Sequence, residues 1–120
     1  MLDRFSKIVE EEFSDMLKST EFLYDAPHLL DPSRLRMKFK DGSFLDVRYD
    51  EVSGDYSIHW QKGDELMARF NNAPHHPMKT FPRHLHLGPT EEVVEDEITS
   101  PDLSPEDNFR RIMEWIRDRL

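Results

Sequence analysis

A chain of 120 residues that is 37% hydrophobic and 34% charged, with a formal charge of −9 and no cysteine, has material for one modest core, so a single domain over 1–120 is expected. The composition excludes disulfides and thiolate metal sites, and the acidic balance excludes broad sequence-independent nucleic-acid binding, which needs a basic footprint. The N-terminus is charged from Asp3 and Arg4 onward and no apolar run nears the ~20 residues of a membrane span, so the expectation is a cytoplasmic protein with no membrane partner.

Leu2, Phe5, Ile8, Val9, Phe13, Met16 and Leu17 recur at spacings of three and four, with Lys7 and Glu10 to Glu12 between them. That periodicity predicts an amphipathic helix over 2–17. From Glu21 to Leu30 the pattern is poor: Phe22-Leu23-Tyr24 has strand character, but Pro27 and Asp31-Pro32 interrupt it. Clear alternation then begins. Leu35, Met37 and Phe39 alternate with Arg34, Arg36, Lys38 and Lys40, and Asp41-Gly42 follows as a hairpin signal. Leu45, Val47 and Tyr49 form the return strand, Ser53-Gly54 turns the chain into Tyr56, Ile58 and Trp60, and Lys62-Gly63 returns it through Leu66, Ala68 and Phe70. These four strands read as an antiparallel meander with one apolar face. The cations at 34, 36, 38 and 40 fit either a phosphate track or, more commonly, a solvated or edge-protecting face.

Residues 91–97, with Val93-Val94 inside an acidic run, suggest a short fifth strand. Ser104-Pro105-Glu106-Asp107 is a helix start, because the serine oxygen can cap free amides and proline costs nothing in the first turn. Phe109, Ile112, Met113, Ile116 and Leu120 form the stripe of that helix, with Arg117 and Arg119 complementing its C-terminal dipole. The expected fold is α+β: an antiparallel four- to five-stranded meander with an N-terminal and a C-terminal helix packed on it.

The stretch from Asn71 to Gly88 stands apart. It holds four of the six histidines, Lys79, Arg83, three prolines and no acid, so it is +2 while the remainder of the chain is −11. If 83–87 is extended, His84 and His86 share one side and Leu85 and Leu87 the other. Adjacent His75 and His76 cannot both face that pair, so at most one should join it, and His59 is a further candidate neighbour. His28 is expected to be a surface residue.

Two chemistries suit such a cluster. In metal-independent RNA cleavage, one histidine takes the ribose 2′-OH proton and a second protonates the leaving oxygen, roles for which an ordinary pKa near 6.5 is suited. Arg83 and Lys79 would stabilise the phosphate and Asn71 and Asn72 would bind or orient. In the alternative, a divalent transition metal is held by His84, His86 and His75 or His76, although the spacing matches no zinc-finger or H-E-x-x-H pattern. A third possibility from another class is a non-catalytic protein-binding module whose acidic surface docks a basic partner.

Phe70-Asn71-Asn72-Ala73-Pro74-His75-His76-Pro77, followed by Thr80-Phe81-Pro82-Arg83-His84-Leu85-His86, resembles the signature of the TumE family of small toxins from prokaryotic toxin–antitoxin pairs. Lys40-Asp41-Gly42-Ser43, His59-Trp60-Gln61 and the helix opening at Ser-Pro extend the similarity along most of the chain. The resemblance implies the toxin of a type II pair, an RNA-cleaving endoribonuclease that inhibits translation. It also implies action on RNA and neutralisation by a cognate helix-turn-helix antitoxin; no cofactor is expected, and a homodimer is left open. The reading of the residues themselves, not the resemblance, makes His84 and His86 the expected acid/base pair, assisted by His75 or His76. Two positions depart from the family pattern: Asn71 stands where an aspartate is usual, and Leu85 where a lysine is usual.

Overall fold

The computed structural model describes all 120 residues. In chain order the elements are α1 (Leu2–Glu12), β1 (Leu17–Leu23), β2 (Arg34–Phe39), β3 (Phe44–Tyr49), β4 (Tyr56–Lys62), β5 (Glu65–Asn71), β6 (His84–Leu87), β7 (Glu92–Glu95) and α2 (Pro105–Arg117). The strands form one sheet in the order β1-β2-β3-β4-β5-β6-β7, each antiparallel to its neighbours. The sequence expectation of an antiparallel meander with a helix at each end therefore holds, but the sheet has seven strands rather than four or five.

The extra strands have physical reasons. The expected N-terminal helix stops at Glu12, a turn follows, and Leu17 opens β1 instead of closing a helical stripe. Phe13 and Met16 are buried all the same, in the connection, so the helical spacing there came from two elements feeding one core. With β1 paired outside it, β2 is an interior strand and its cations do not guard an edge. The histidine stretch contributes β6, which joins β5 to β7, and the expected strand around Val93-Val94 is β7.

Alternation on a pleated sheet sends Leu35, Met37, Phe39, Leu45, Val47, Ile58, Trp60, Ala68, Phe70 and Leu85 to one face, where all are buried. Both helices cover that face. Phe5 of α1 stacks on Phe109 of α2 at 4.5 Å, and Trp115 meets Phe70 and Trp60 edge-on. The buried Trp60 indole donates to the Ser43 hydroxyl at 3.0 Å, so the core leaves that N–H satisfied. Ser104 caps α2 as expected, its oxygen accepting from the Asp107 amide at 3.1 Å. The helix ends at Arg117, however, so Leu120 lies beyond the stripe and is 44% exposed.

No helix covers the other face, which carries Arg34, Arg36, Asp46, Arg48, Ser57, His59, Arg69, Asn71, His84 and His86 by the same alternation. Here lie His84 and His86, the two histidines expected to share a side. Two rows cross the sheet at right angles to the strands. One runs Arg36, Asp46, His59, Arg69, His86; the other runs Arg48, Ser57, Asn71, His84.

Candidate active site

The site is built from β6 and the loop before it. Residues 84–87 are extended, so His84 and His86 project together onto the open face and Leu85 onto the core. Cis peptide bonds at Phe81-Pro82 and Gly88-Pro89 bracket the strand. At its end the Gly88 amide donates to the Met67 carbonyl, and a Cβ on Gly88 would sit 1.5 Å from the Leu66 carbonyl oxygen. Only glycine fits so close an approach.

The loop folds His76 back over the pair. Ring centroids lie 4.8 Å apart for His76 and His84, 5.5 Å for His76 and His86, and 4.9 Å for His84 and His86. One ring nitrogen from each lies within 4.8 Å of the others. His84 is 1% and His86 6% exposed. His75 is exposed and outside the group, its amide donating to the Ala73 carbonyl. His28, likewise exposed, is a surface residue as expected.

Each central ring has a fixed neighbour. His84 Nδ1 is 3.0 Å from the Pro82 carbonyl oxygen. A carbonyl can only accept, so Nδ1 carries a proton and Nε2 is left free for chemistry. His86 Nε2 is 3.3 Å from an Arg69 Nη2. A guanidinium can only donate, so that nitrogen presents its lone pair. Burial, the Arg69 charge and the neighbouring His84 and His76 together push His86 down to about 4. At neutral pH it is an uncharged base. Burial and then Arg69 also lower His59, two strands away in the same row.

The other residues expected to act here are divided by the sheet. Asn71 is opposite His84 in register, on the open face, and its side-chain oxygen accepts from the Ala73 amide, holding the start of the loop. Arg83 alternates to the core side. One of its terminal nitrogens donates to the Thr99 carbonyl at 2.7 Å, to the Thr99 hydroxyl at 2.9 Å and to the Asp96 carbonyl at 3.3 Å. Thr80 completes the tie: its hydroxyl donates to the Arg83 carbonyl and accepts from the Asp96 amide. Arg83 thus anchors the histidine loop to the 96–99 turn. Asn72 bonds the Gly54 carbonyl and the Tyr56 amide. Lys79, Asn72 and Arg83 line a cleft of about 450 Å³ between the loop and α2, across the sheet from the imidazoles. Tyr56 also lines it, and burial, reinforced by the Asp96 carboxylate, pushes its phenol up to about 12.

Arg69, and neither Arg83 nor Lys79, is the cation beside the histidines. A signal was present: Arg69 lies between the core residues Ala68 and Phe70, so it had to face away from the core. Its position opposite His86 depends on the β5–β6 register, which links residues across the whole intervening loop.

The profile of the family described as Toxin TumE matches residues 6–120. The chain belongs to the TumE toxin family. No curated protein and no solved structure matches it. No helix is long and apolar enough to cross a membrane.

Proposed function

We propose that this TumE-family chain is the toxin of a type II toxin–antitoxin pair and acts as an endoribonuclease through the histidine cluster. The observation that supports this most is the meeting of His76, His84 and His86 within 4.8 Å on the sheet face that no helix covers, beneath their own loop, with His86 held neutral beside Arg69.

In this reading His86 is the general base. A substrate phosphate draws the Arg69 guanidinium toward itself, which releases the Nε2 lone pair to take the 2′-OH proton. The 2′ oxygen attacks phosphorus, the bond to the 5′ oxygen breaks, and His84, entering the step as the doubly protonated imidazolium, gives its Nε2 proton to that leaving oxygen and keeps the Nδ1 proton on the Pro82 carbonyl. The products are a 2′,3′-cyclic phosphate and a free 5′-hydroxyl. Arg69 stabilises the extra negative charge at phosphorus, a role the sequence reading gave to Arg83 and Lys79. His76 assists by closing the cluster, and Asn71 steadies the loop that carries it. Asn71 is neutral where the family usually has a carboxylate, and Leu85, in the usual lysine position, packs in the core. A helix-turn-helix antitoxin is the expected neutraliser, and a basic one would complement a chain of charge −9.

A second reading has its own support. Three ring nitrogens this close fit a divalent transition metal, and the Pro82 carbonyl on His84 Nδ1 is the kind of contact that orients a ligating imidazole. Against it, the Arg69 guanidinium already occupies His86 Nε2 and would repel a cation.

One assay separates the readings. Purified protein is mixed with RNA, with and without chelator, and the 3′ ends are analysed. Chelator-insensitive cleavage to cyclic phosphate, reduced about 10²- to 10⁴-fold by His84→Ala or His86→Ala, is the expected result. Loss of cleavage with chelator favours the metal. Undiminished cleavage in both variants rejects the site.

A further inference from the structure

The histidine cluster occupies one end of the open sheet face, and a groove of about 390 Å³ lies toward the other end. Arg34, Arg36, Arg48, Ser57 and His59 line it, with Asp46 between the arginines. We propose that this groove is a phosphodiester-binding track for single-stranded RNA, holding nucleotides that flank the bond placed at the histidines. The proposal deepens the nuclease reading and rests on it for the identity of the strand.

Register supplies the first argument. Arg36, Asp46, His59, Arg69 and His86 are successive partners across five strands, and Arg48, Ser57, Asn71 and His84 form the row beside them. Four inter-strand steps from Arg36 to His86 make ~19 Å, more than one phosphate group needs. The path begins at arginines and ends at imidazoles in both rows.

Charge supplies the second. In a chain of −9, the groove sets three guanidiniums against the single carboxylate of Asp46. The other acids near the face are Glu21 opposite Arg36, Glu95 opposite His84, Glu91 in the turn after β6, and Asp25, which pairs with Arg48. Glu21, Asp25 and Glu91 are exposed, so salt and water screen them. Asp46 accepts two bonds from Arg36 and one from Arg34, and Arg36 also lies over the Phe44 ring at 4.6 Å. Those contacts hold the forks in place. Each guanidinium has five N–H donors, so donors remain free on both.

Unsatisfied atoms supply the third. Arg34 Nε, His59 Nε2 and Arg69 Nε are buried without a hydrogen-bond partner. All three belong to side chains of this face, and a buried polar atom left unpaired is costly. These atoms are closed off from solvent, so phosphate and ribose oxygens in the groove would satisfy them only as the side chains turn outward on binding. Single-stranded RNA is the form whose backbone and bases are free to splay across such a groove.

The test uses a short 2′-O-methyl RNA, which lacks the attacking hydroxyl and so reports binding alone, measured by fluorescence anisotropy across a salt series. Arg36→Gln and Arg48→Gln should each weaken binding roughly tenfold and each lower the salt slope by about 0.7. Asp46→Asn should tighten binding, a change of opposite sign that a misfolded variant would not give. With cleavable RNA, the Arg variants should slow a ten-nucleotide substrate while leaving cleavage of a dinucleotide unchanged. If the wild-type protein binds and cleaves and all three groove variants match it, the track is wrong and the nuclease reading stands. Groove-dependent binding without cleavage leaves the track and removes the nuclease. Absence of both binding and cleavage overturns the two together.

Discussion

The two faces of one sheet behave as different materials. The helix-covered face is apolar and closed, with Trp60, Phe70, Phe109 and Ile112 fully buried and the one indole N–H of Trp60 bonded to Ser43. The open face is polar and holds three of the four buried side-chain atoms that lack a partner. Consecutive residues on β5 show the division: Phe70 packs edge-on against Trp115 at 5.4 Å, while Arg69 reaches His86 on the far side. The first face concentrates stability and the second retains unsatisfied polarity.

That contrast can be broken from either side. The largest stability loss should come from Phe70→Ala, about 3–5 kcal/mol by denaturant unfolding, because the cavity would sit in the packed layer. A loss below 1 kcal/mol would mean the core is not where the helices place it. Next comes Arg83→Gln, expected to cost about 1.5–3 kcal/mol through its charged hydrogen bonds to Thr99 and Asp96. Here the sharper readout is local: hydrogen exchange in the 72–83 loop should quicken before that of β3 and β4. Equal exchange would show that Arg83 does not anchor the loop.

Arg69→Gln should sharpen the comparison with its neighbour Phe70. Unfolding should change less than for Phe70→Ala, while His86 should titrate above its present value of about 4, since the largest nearby charge opposing its protonation is gone. Histidine NMR titration measures this directly, and an unmoved His86 would remove Arg69 from the site. A graded effect comes last. His86 and His59 both lie below the ordinary 6.5 in the folded chain, so the unfolded chain binds more protons between about 6.5 and 4. Their contribution to stability is present above pH 6.5 and is lost as pH falls through that window. Thermal unfolding from pH 7 to 4, with His86→Gln as reference, should show a shallower loss in the variant.

The parts of the fold legible in the sequence were those with a buried face. β2 to β5 and α2 announce themselves because one side of each must be apolar. β1 did not, because it is an edge strand whose residues are mostly exposed or half-buried, and Leu17 continued the helical spacing of the segment before it. The site was legible to the same depth. Extended geometry puts His84 and His86 on one side whatever surrounds them, and two adjacent histidines cannot both join them; that His76 joins and His75 does not depends on the path of the loop.

By itself, then, the sequence determined which residues would share a face, because side-chain alternation and helical periodicity are properties of the local backbone. It determined as well that an acid-free, histidine-rich segment would stand against an acidic chain. Tertiary structure alone decided which cation meets the imidazoles. Arg83 is adjacent to His84 in the chain, and the pleat turns it away; Arg69 is distant, and strand pairing brings it opposite His86. Long-range register sets that choice, and no local pattern encodes it.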